Sequence, residues 1–375
     1  MIKSIPPLAL FMILAQSAYA AEGHDHHNHG DKEGFYAHLE ATVVYESIYA
    51  APEASEEVEQ TYSHSHMELG YRFNKNFSID SNIKIEGEPA GHAHGGGAAR
   101  TGDQFFDAHP LVLEQLTLTY ETDGLSIYAG KFNPELGFNY HSWPGLFGYQ
   151  VAEGYMLKEH IGLGTKFSHD AGDYGVHTLN VSTFFKDTLL SGSLMHNRGS
   201  KSKSDGGLAN NEEFKSYAIS LGGKDFYSLE NSVAEGFSYK LGYAKQAAGK
   251  GNDKAETRFV TSLAYKQDLT KNLSTRVFVE RMAIDHLSGE SAHDRIHTTV
   301  GFSFDYKGWN VGGTHTDINN EAGEEDENHD GYIGQFSVGY TFKNGINLSV
   351  GYKQSEEENE RKDRVGTKIA YNLEF

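Results

Sequence analysis

Ile296-His297-Thr298-Thr299-Val300-Gly301-Phe302-Ser303-Phe304-Asp305-Tyr306 decides the fold. Ile296, Thr298, Val300, Phe302, Phe304 and Tyr306 share one parity, and His297, Thr299, Gly301, Ser303 and Asp305 hold the other. Successive side chains of a β-strand point to opposite faces, so this run has one apolar and one polar face. Tyr332, Phe336, Val338, Tyr340 and Phe342 repeat the pattern against Gln335, Ser337, Gly339 and Thr341. Ile346, Leu348, Val350 and Tyr352 do so against Asn347, Ser349, Gly351 and Lys353. A soluble sandwich also alternates, but with shorter strands and a polar outer face. Runs of about 10 to 14 residues suit a tilted crossing of a bilayer.

The chain holds sixteen such segments, near 35–50, 61–72, 76–88, 110–121, 125–134, 159–168, 174–187, 213–223, 233–247, 255–267, 272–285, 293–306, 309–318, 332–342, 345–354 and 363–375. Short connections follow the even-numbered segments, among them Asn74-Lys75, Thr122-Asp123-Gly124, Lys307-Gly308 and Lys343-Asn344, and carry turn chemistry. Longer ones follow the odd-numbered segments: 51–60, 89–109, 135–158, 188–212, 248–254, 286–292, 319–331 and 355–362. An even strand number with alternating long and short loops predicts an all-β, closed antiparallel transmembrane barrel over residues 35–375. Both termini then lie on the short-turn, periplasmic side. Sixteen strands enclose a water-filled lumen, which eight would fill with their own side chains.

Residues 1–20 read as a secretory signal peptide: Lys3, the apolar run Leu8 to Leu14, and Ala18-Tyr19-Ala20 before Ala21. That apolar run is too short for a spanning helix, and no later stretch approaches the required ~20 apolar residues. Gly (42), Tyr (22) and Phe (22) are abundant and Pro (7) is scarce, as suits twisted strands with interfacial aromatics. Cys is absent, which excludes disulfide scaffolds and thiol catalysis. The net charge of −20 becomes −21 when Lys3 is removed, so no nucleic-acid partner is expected. Glu56-Glu57-Val58-Glu59, Glu321 to Glu327 and Glu356 to Glu360 read as solvated loops, or as sites where divalent cations bridge to lipid phosphates.

Ile369, Tyr371, Leu373 and Phe375 place the lipid-facing parity at the very end of the chain. This is similar to the terminal signature by which the barrel assembly machinery recognises outer-membrane proteins, with Tyr371, Leu373 and Phe375 as the signal. With strand number and loop alternation, the mature chain resembles the bacterial porin superfamily, and no motif fixes a subfamily. The resemblance implies the outer membrane of a Gram-negative bacterium, contact with lipid and lipopolysaccharide, a homotrimer, and passage of small hydrophilic solutes. It also implies a third long loop folded into the lumen. Here that loop is 135–158, rich in apolar groups (Phe138, Tyr140, Trp143, Leu146, Phe147) that are costly to leave in water. It is expected to enter the lumen or to pack at a subunit interface. Lys166, Lys240, Arg258, Lys266, Arg276 and Glu280 fall on the lumen parity. Charge in the lipid band costs ~2–4 kcal/mol at mid-depth, so these groups are expected to face inward. By resemblance, Arg258 and Arg276 on the wall would oppose Glu135 and Glu153 on the loop, with Tyr140 and Trp143 completing the constriction. As plain solvated lumen residues they would do nothing so specific.

Histidines supply a rival reading. His24, His26, His27 and His29, with Asp25 and Asp31, form a chelating tract at the start of the mature chain, residues 21–34. His64 and His66 lie two apart, hence on one face of a strand, and His92 and His94 sit in the second long loop. Imidazole suits zinc, copper and nickel, which makes a metal or metallophore uptake channel the alternative to a general porin. No cofactor is required, and a divalent metal is the one candidate. Such tracts are equally well explained as soluble, disordered polar tails. No Gly-x-Ser-x-Gly elbow is present and the Ser, His and Asp residues show no telling spacing, so no enzyme is expected. A TonB-dependent receptor would need a plug domain and more strands than this length supplies.

Overall fold

The computed structural model describes residues 33–87, 102–107, 109–195, 199–226, 236–321, 330–357 and 359–374. Residues 1–32, which include the expected signal peptide and His24, His26, His27 and His29, lie outside this range, as do His92, His94 and Phe375.

Sixteen antiparallel strands close into one barrel. They are β1 Gly34–Ala50, β2 Glu59–Asn74, β3 Phe77–Glu86, β4 Leu111–Thr122, β5 Leu125–Phe132, β6 His160–Asp170, β7 Val176–Lys186 and β8 Ser216–Lys224. The second half is β9 Phe237–Gln246, β10 Glu256–Thr270, β11 Leu273–Asp285, β12 Asp294–Tyr306, β13 Trp309–Glu321, β14 Gly331–Thr341, β15 Ile346–Glu357 and β16 Glu360–Glu374. Each strand pairs with its neighbours in sequence, and β1 meets β16 from His38↔Glu374 to Ala50↔Asp363. That last pairing leaves the barrel without an edge, so every strand has its ladder satisfied on both sides. Two further short strands sit in the long connections. Gln104–Phe105 runs parallel to β2, and Ser193–Met195 antiparallel to β4.

Parity sorts the side chains as the alternation requires. Val279, Val300, Leu118, Val350 and Ile369 are exposed on the outside. Their neighbours Glu280, Thr299, Thr117, Gly351 and Ala370 face inward, at ladder positions where polar and small groups meet. At the short-turn end the outer belt finishes in aromatic pairs: Phe77–Tyr120 (4.7 Å), Phe237–Tyr265 (4.9 Å) and Trp309–Tyr340 (4.9 Å). Such rings hold an apolar body in hydrocarbon and a polar tip in water, as a membrane interface requires. The β12–β13 turn shows why these connections are short: Lys307 (φ 47°) and Gly308 (φ 88°) both take the left-handed region that a two-residue hairpin demands.

Two expectations need correction. The connection after β15, expected over 355–362, is only residues 358–359, with Glu356↔Arg361 and Glu357↔Glu360 already paired. The apolar alternation ends with the hydrocarbon, but the ladder continues into water on polar residues. For the same reason Glu59, Glu321, Glu356 and Glu360 belong to strands, while residues 322–327 lie outside the described range.

Candidate functional site

Residues 135–158 run inside the barrel and divide its lumen. Asn139 starts the fold of this loop by accepting the His141 amide on its side-chain oxygen at 2.9 Å, ahead of a single 3-10 turn at Tyr140–Ser142. A short helix, α1 Gly148–Glu153, follows. Leu136, Trp143, Leu146, Phe147, Val151, Ala152, Tyr155 and Leu157 are all 4% exposed or less. Most of them pack against Phe184, Val260, Phe278 and Met282 of the lumen wall, and Leu146 and Phe147 against Val44 and Tyr62 across the lumen. The hydrophobic gain explains why an aromatic loop leaves water for the pore.

Polar tethers fix it there. Glu280, 1% exposed on β11, accepts from the Phe138 amide (2.8 Å), the Tyr155 hydroxyl (2.8 Å) and Ser262 Oγ of β10 (2.7 Å). On β14 the Leu146 amide donates to Ser337 Oγ (3.0 Å), and Gln335 Nε2 donates to the Pro144 carbonyl (2.7 Å). Gln150 of α1 donates to Glu46 of β1 (3.2 Å) and accepts from Lys353 of β15 (3.1 Å). Burial above all, then Glu280, holds the Tyr155 phenol well above its ordinary range, so it remains a donor.

The wall is cut back where the loop lies on it. A methyl group added at Gly312 would stand 2.9 Å from Pro144 Cβ, one at Gly366 2.8 Å from Phe147 Cζ, and one at Gly351 3.2 Å from Leu146 Cβ. Gly242 is in the same position against the Leu136 carbonyl. Four glycines on four strands thus form the seat.

The expected constriction residues are gathered, but in other pairs. Arg258 binds Glu256 of its own strand (2.6 Å) and the Tyr155 carbonyl. Arg276 donates to the Ser142 carbonyl (2.6 Å) and lies over the rings of Phe138 and Phe278. Both arginines therefore bind loop backbone instead of facing Glu135 and Glu153. Glu135 pairs with Lys240 and accepts from Asn180 (2.9 Å), whereas Glu153 pairs with Lys158 within the loop. Tyr140 reaches Glu114 of β4 at 3.4 Å, and Trp143 packs on Phe278 at 5.0 Å. Glu280, read from sequence as one more lumen charge, is the central anchor. Tyr371 and Leu373 sit at the β16 end against Ala41 and Leu39 of β1.

His64 and His66 of β2 face the lumen with Nε2 atoms 3.3 Å apart. Lys84 and Glu86 of β3 and Glu114 of β4 surround them, and the loop covers them with Tyr149 (ring centroid 4.4 Å from His64) and His141 (5.1 Å from His66). Sequence reading missed Glu86, Glu114 and His141. Strand parity alone puts the two carboxylates inside, but only the barrel register puts them beside the histidines. Among the described residues no three His, Asp or Glu side chains already converge as a metal-binding group.

No family model matches the chain, and no curated protein does. Solved structures do. The channel DcaP of Acinetobacter baumannii aligns with 90% of this chain and 96% of its own, at TM-score 0.53 and 11% identity. A loop L8 deletion mutant of OmpT, an outer membrane protein of Vibrio cholerae, aligns over 91% and 99% at TM-score 0.52 and 11% identity. The fold is that of the porin-like outer-membrane barrels. OccK9 (OpdG) of Pseudomonas aeruginosa also aligns with this barrel, over 92% of the chain and 99% of its own, at TM-score 0.50 and 10% identity.

Proposed function

We propose that this barrel is a diffusion channel of the Gram-negative outer membrane, passing small hydrophilic solutes through a lumen narrowed by residues 135–158. The observation that carries the reading is the loop itself, pinned by Glu280, Gln335 and Ser337 onto a wall of glycines. A loop tethered to several strands sets a fixed aperture, which is what selects solutes by size and polarity. The lipid-facing belt supports contact with lipid and lipopolysaccharide, and the DcaP likeness supports a channel. We assign the chain no enzymatic role, place both termini in the periplasm, and expect a homotrimer delivered by the barrel assembly machinery. Planar-bilayer recording tests this: steady, weakly selective openings are expected, and a purified barrel that forms no pore would end the proposal.

A second reading, uptake of zinc, copper, nickel or their chelates, is favoured by the lumenal His64–His66 pair. Under it, micromolar metal blocks conductance, and deleting residues 23–31 changes that block. A block absent at all metal concentrations removes it.

A further inference from the structure

We infer that His64 and His66 form a seat for a borderline divalent cation such as Zn2+, closed from the lumen side by His141 of the third loop. Nδ1 of His64 stands 2.9 Å from Glu86 Oε1 and Nδ1 of His66 3.9 Å from Glu114 Oε2. A carboxylate beside each Nδ1 favours the proton on that nitrogen, which leaves the lone pair of each ring on Nε2. The two Nε2 atoms then face each other at 3.3 Å in a site where His66 is 5% exposed and Glu114 fully buried. Two converging lone pairs in a dry pocket repel unless a cation lies between them.

The spacing fits a metal. Imidazole nitrogens bind Zn2+ at about 2.0–2.1 Å, and a tetrahedral angle then separates two of them by about 3.3 Å. The ring centroids are 4.9 Å apart for His64–His66 and 5.1 Å for His66–His141, close to the ~5 Å that two imidazoles on one zinc require. Glu86 and Glu114 supply the outer carboxylates that orient metal-binding histidines. His66 Nδ1 and Glu114 Oε2 are buried without a hydrogen-bond partner among the described residues, whereas His64 Nδ1 is held by Glu86. The local charge permits a cation: Glu86, Glu114 and Glu153 face Lys84 and Lys158. A single proton shared between the two Nε2 atoms is the competing occupant.

Because wall and loop would share one ion, binding would lock the constriction as well as hold metal. The site bears on the metal-uptake reading, yet its test is a binding measurement in detergent that a non-conducting barrel also passes. ZnCl2 is titrated calorimetrically into the full-length protein and into H64A/H66A. Both carry residues 23–31, so the difference isolates the pair. The variant is expected to lose one zinc per chain. Glu86→Gln, which keeps every imidazole, is expected to weaken the same event about 10–100-fold. His141→Ala is expected to weaken it by about tenfold, the loss of one ligand. Should H64A/H66A not fold, His66→Gln removes the imidazole that faces both His64 and His141 and is expected to weaken the event by at least about tenfold, and an unchanged affinity there overturns the seat. Unchanged stoichiometry overturns the seat, and unchanged affinity in His141→Ala overturns the loop's share in it.

Discussion

The Phe138 amide donates to Glu280 Oε2 at 2.8 Å across 142 positions of sequence. Tyr155 and Ser262 donate to the same carboxylate, so one side chain holds both ends of the constriction loop against the wall. Glu280→Ala is expected to leave three donors without that acceptor, at about 1–3 kcal/mol for each that finds no water. Conductance should become noisy and, on average, larger as the loop loosens. Glu280→Gln keeps one acceptor oxygen and should fall between. A Glu280→Ala barrel with the wild-type conductance trace would show that the loop is held elsewhere.

Gly366 and Phe147 make the complementary contact. A side chain at residue 366 meets the Phe147 ring, and overpacking of this kind costs about 1–3 kcal/mol. Gly366→Val should therefore lower the detergent melting temperature and alter conductance. Gly222→Ala is the control, because a methyl group there meets only the Tyr239 carbonyl at 3.5 Å. Equal losses from both substitutions would count against a glycine seat.

Legibility in the sequence followed the range of the forces involved. Alternation is local, so Ile296–Tyr306 and its companions revealed the barrel and its strand number. The aromatic content of 135–158 narrowed the loop's destination to two, since Trp143 and Phe147 have nowhere dry to go except the lumen or a neighbour, and the choice between them was not legible. The partners were not legible. Whether Glu280 sits in water or beneath a loop depends on Phe138 and Tyr155, far away in the chain. Glu135 meets Lys240 instead of Arg258 through the combined registers of several strands, which no single strand encodes. The β15–β16 hairpin was misread because polar residues pair there outside the hydrocarbon, where hydropathy carries no signal.

Val279 and Glu280 are adjacent yet face different media, lipid for the first and loop for the second. Val279 pairs with Leu263 and Val300, both exposed on the outer belt. Val279→Lys places a charge in hydrocarbon and should cost about 2–4 kcal/mol if the position is near mid-depth. Refolding into lipid vesicles, followed by urea titration, measures this directly. A shift below half of the lower bound would mean that this face is not in lipid.

Two tryptophans report on the two surfaces separately. Trp309 is 51% exposed on the outer belt, and Trp143 is 4% exposed inside the loop. Bromine atoms on lipid chains quench only indoles they can reach, so brominated bilayers should dim Trp309 and spare Trp143. In the wild type the two contributions add. Trp309→Phe leaves Trp143 alone, and its emission should be nearly the same in brominated and ordinary lipid. Trp143→Phe should instead show deeper fractional quenching than the wild type. If Trp309→Phe is quenched as strongly as the wild type, residues 135–158 lie against lipid on the outside of the barrel, and the lumen has no third-loop constriction.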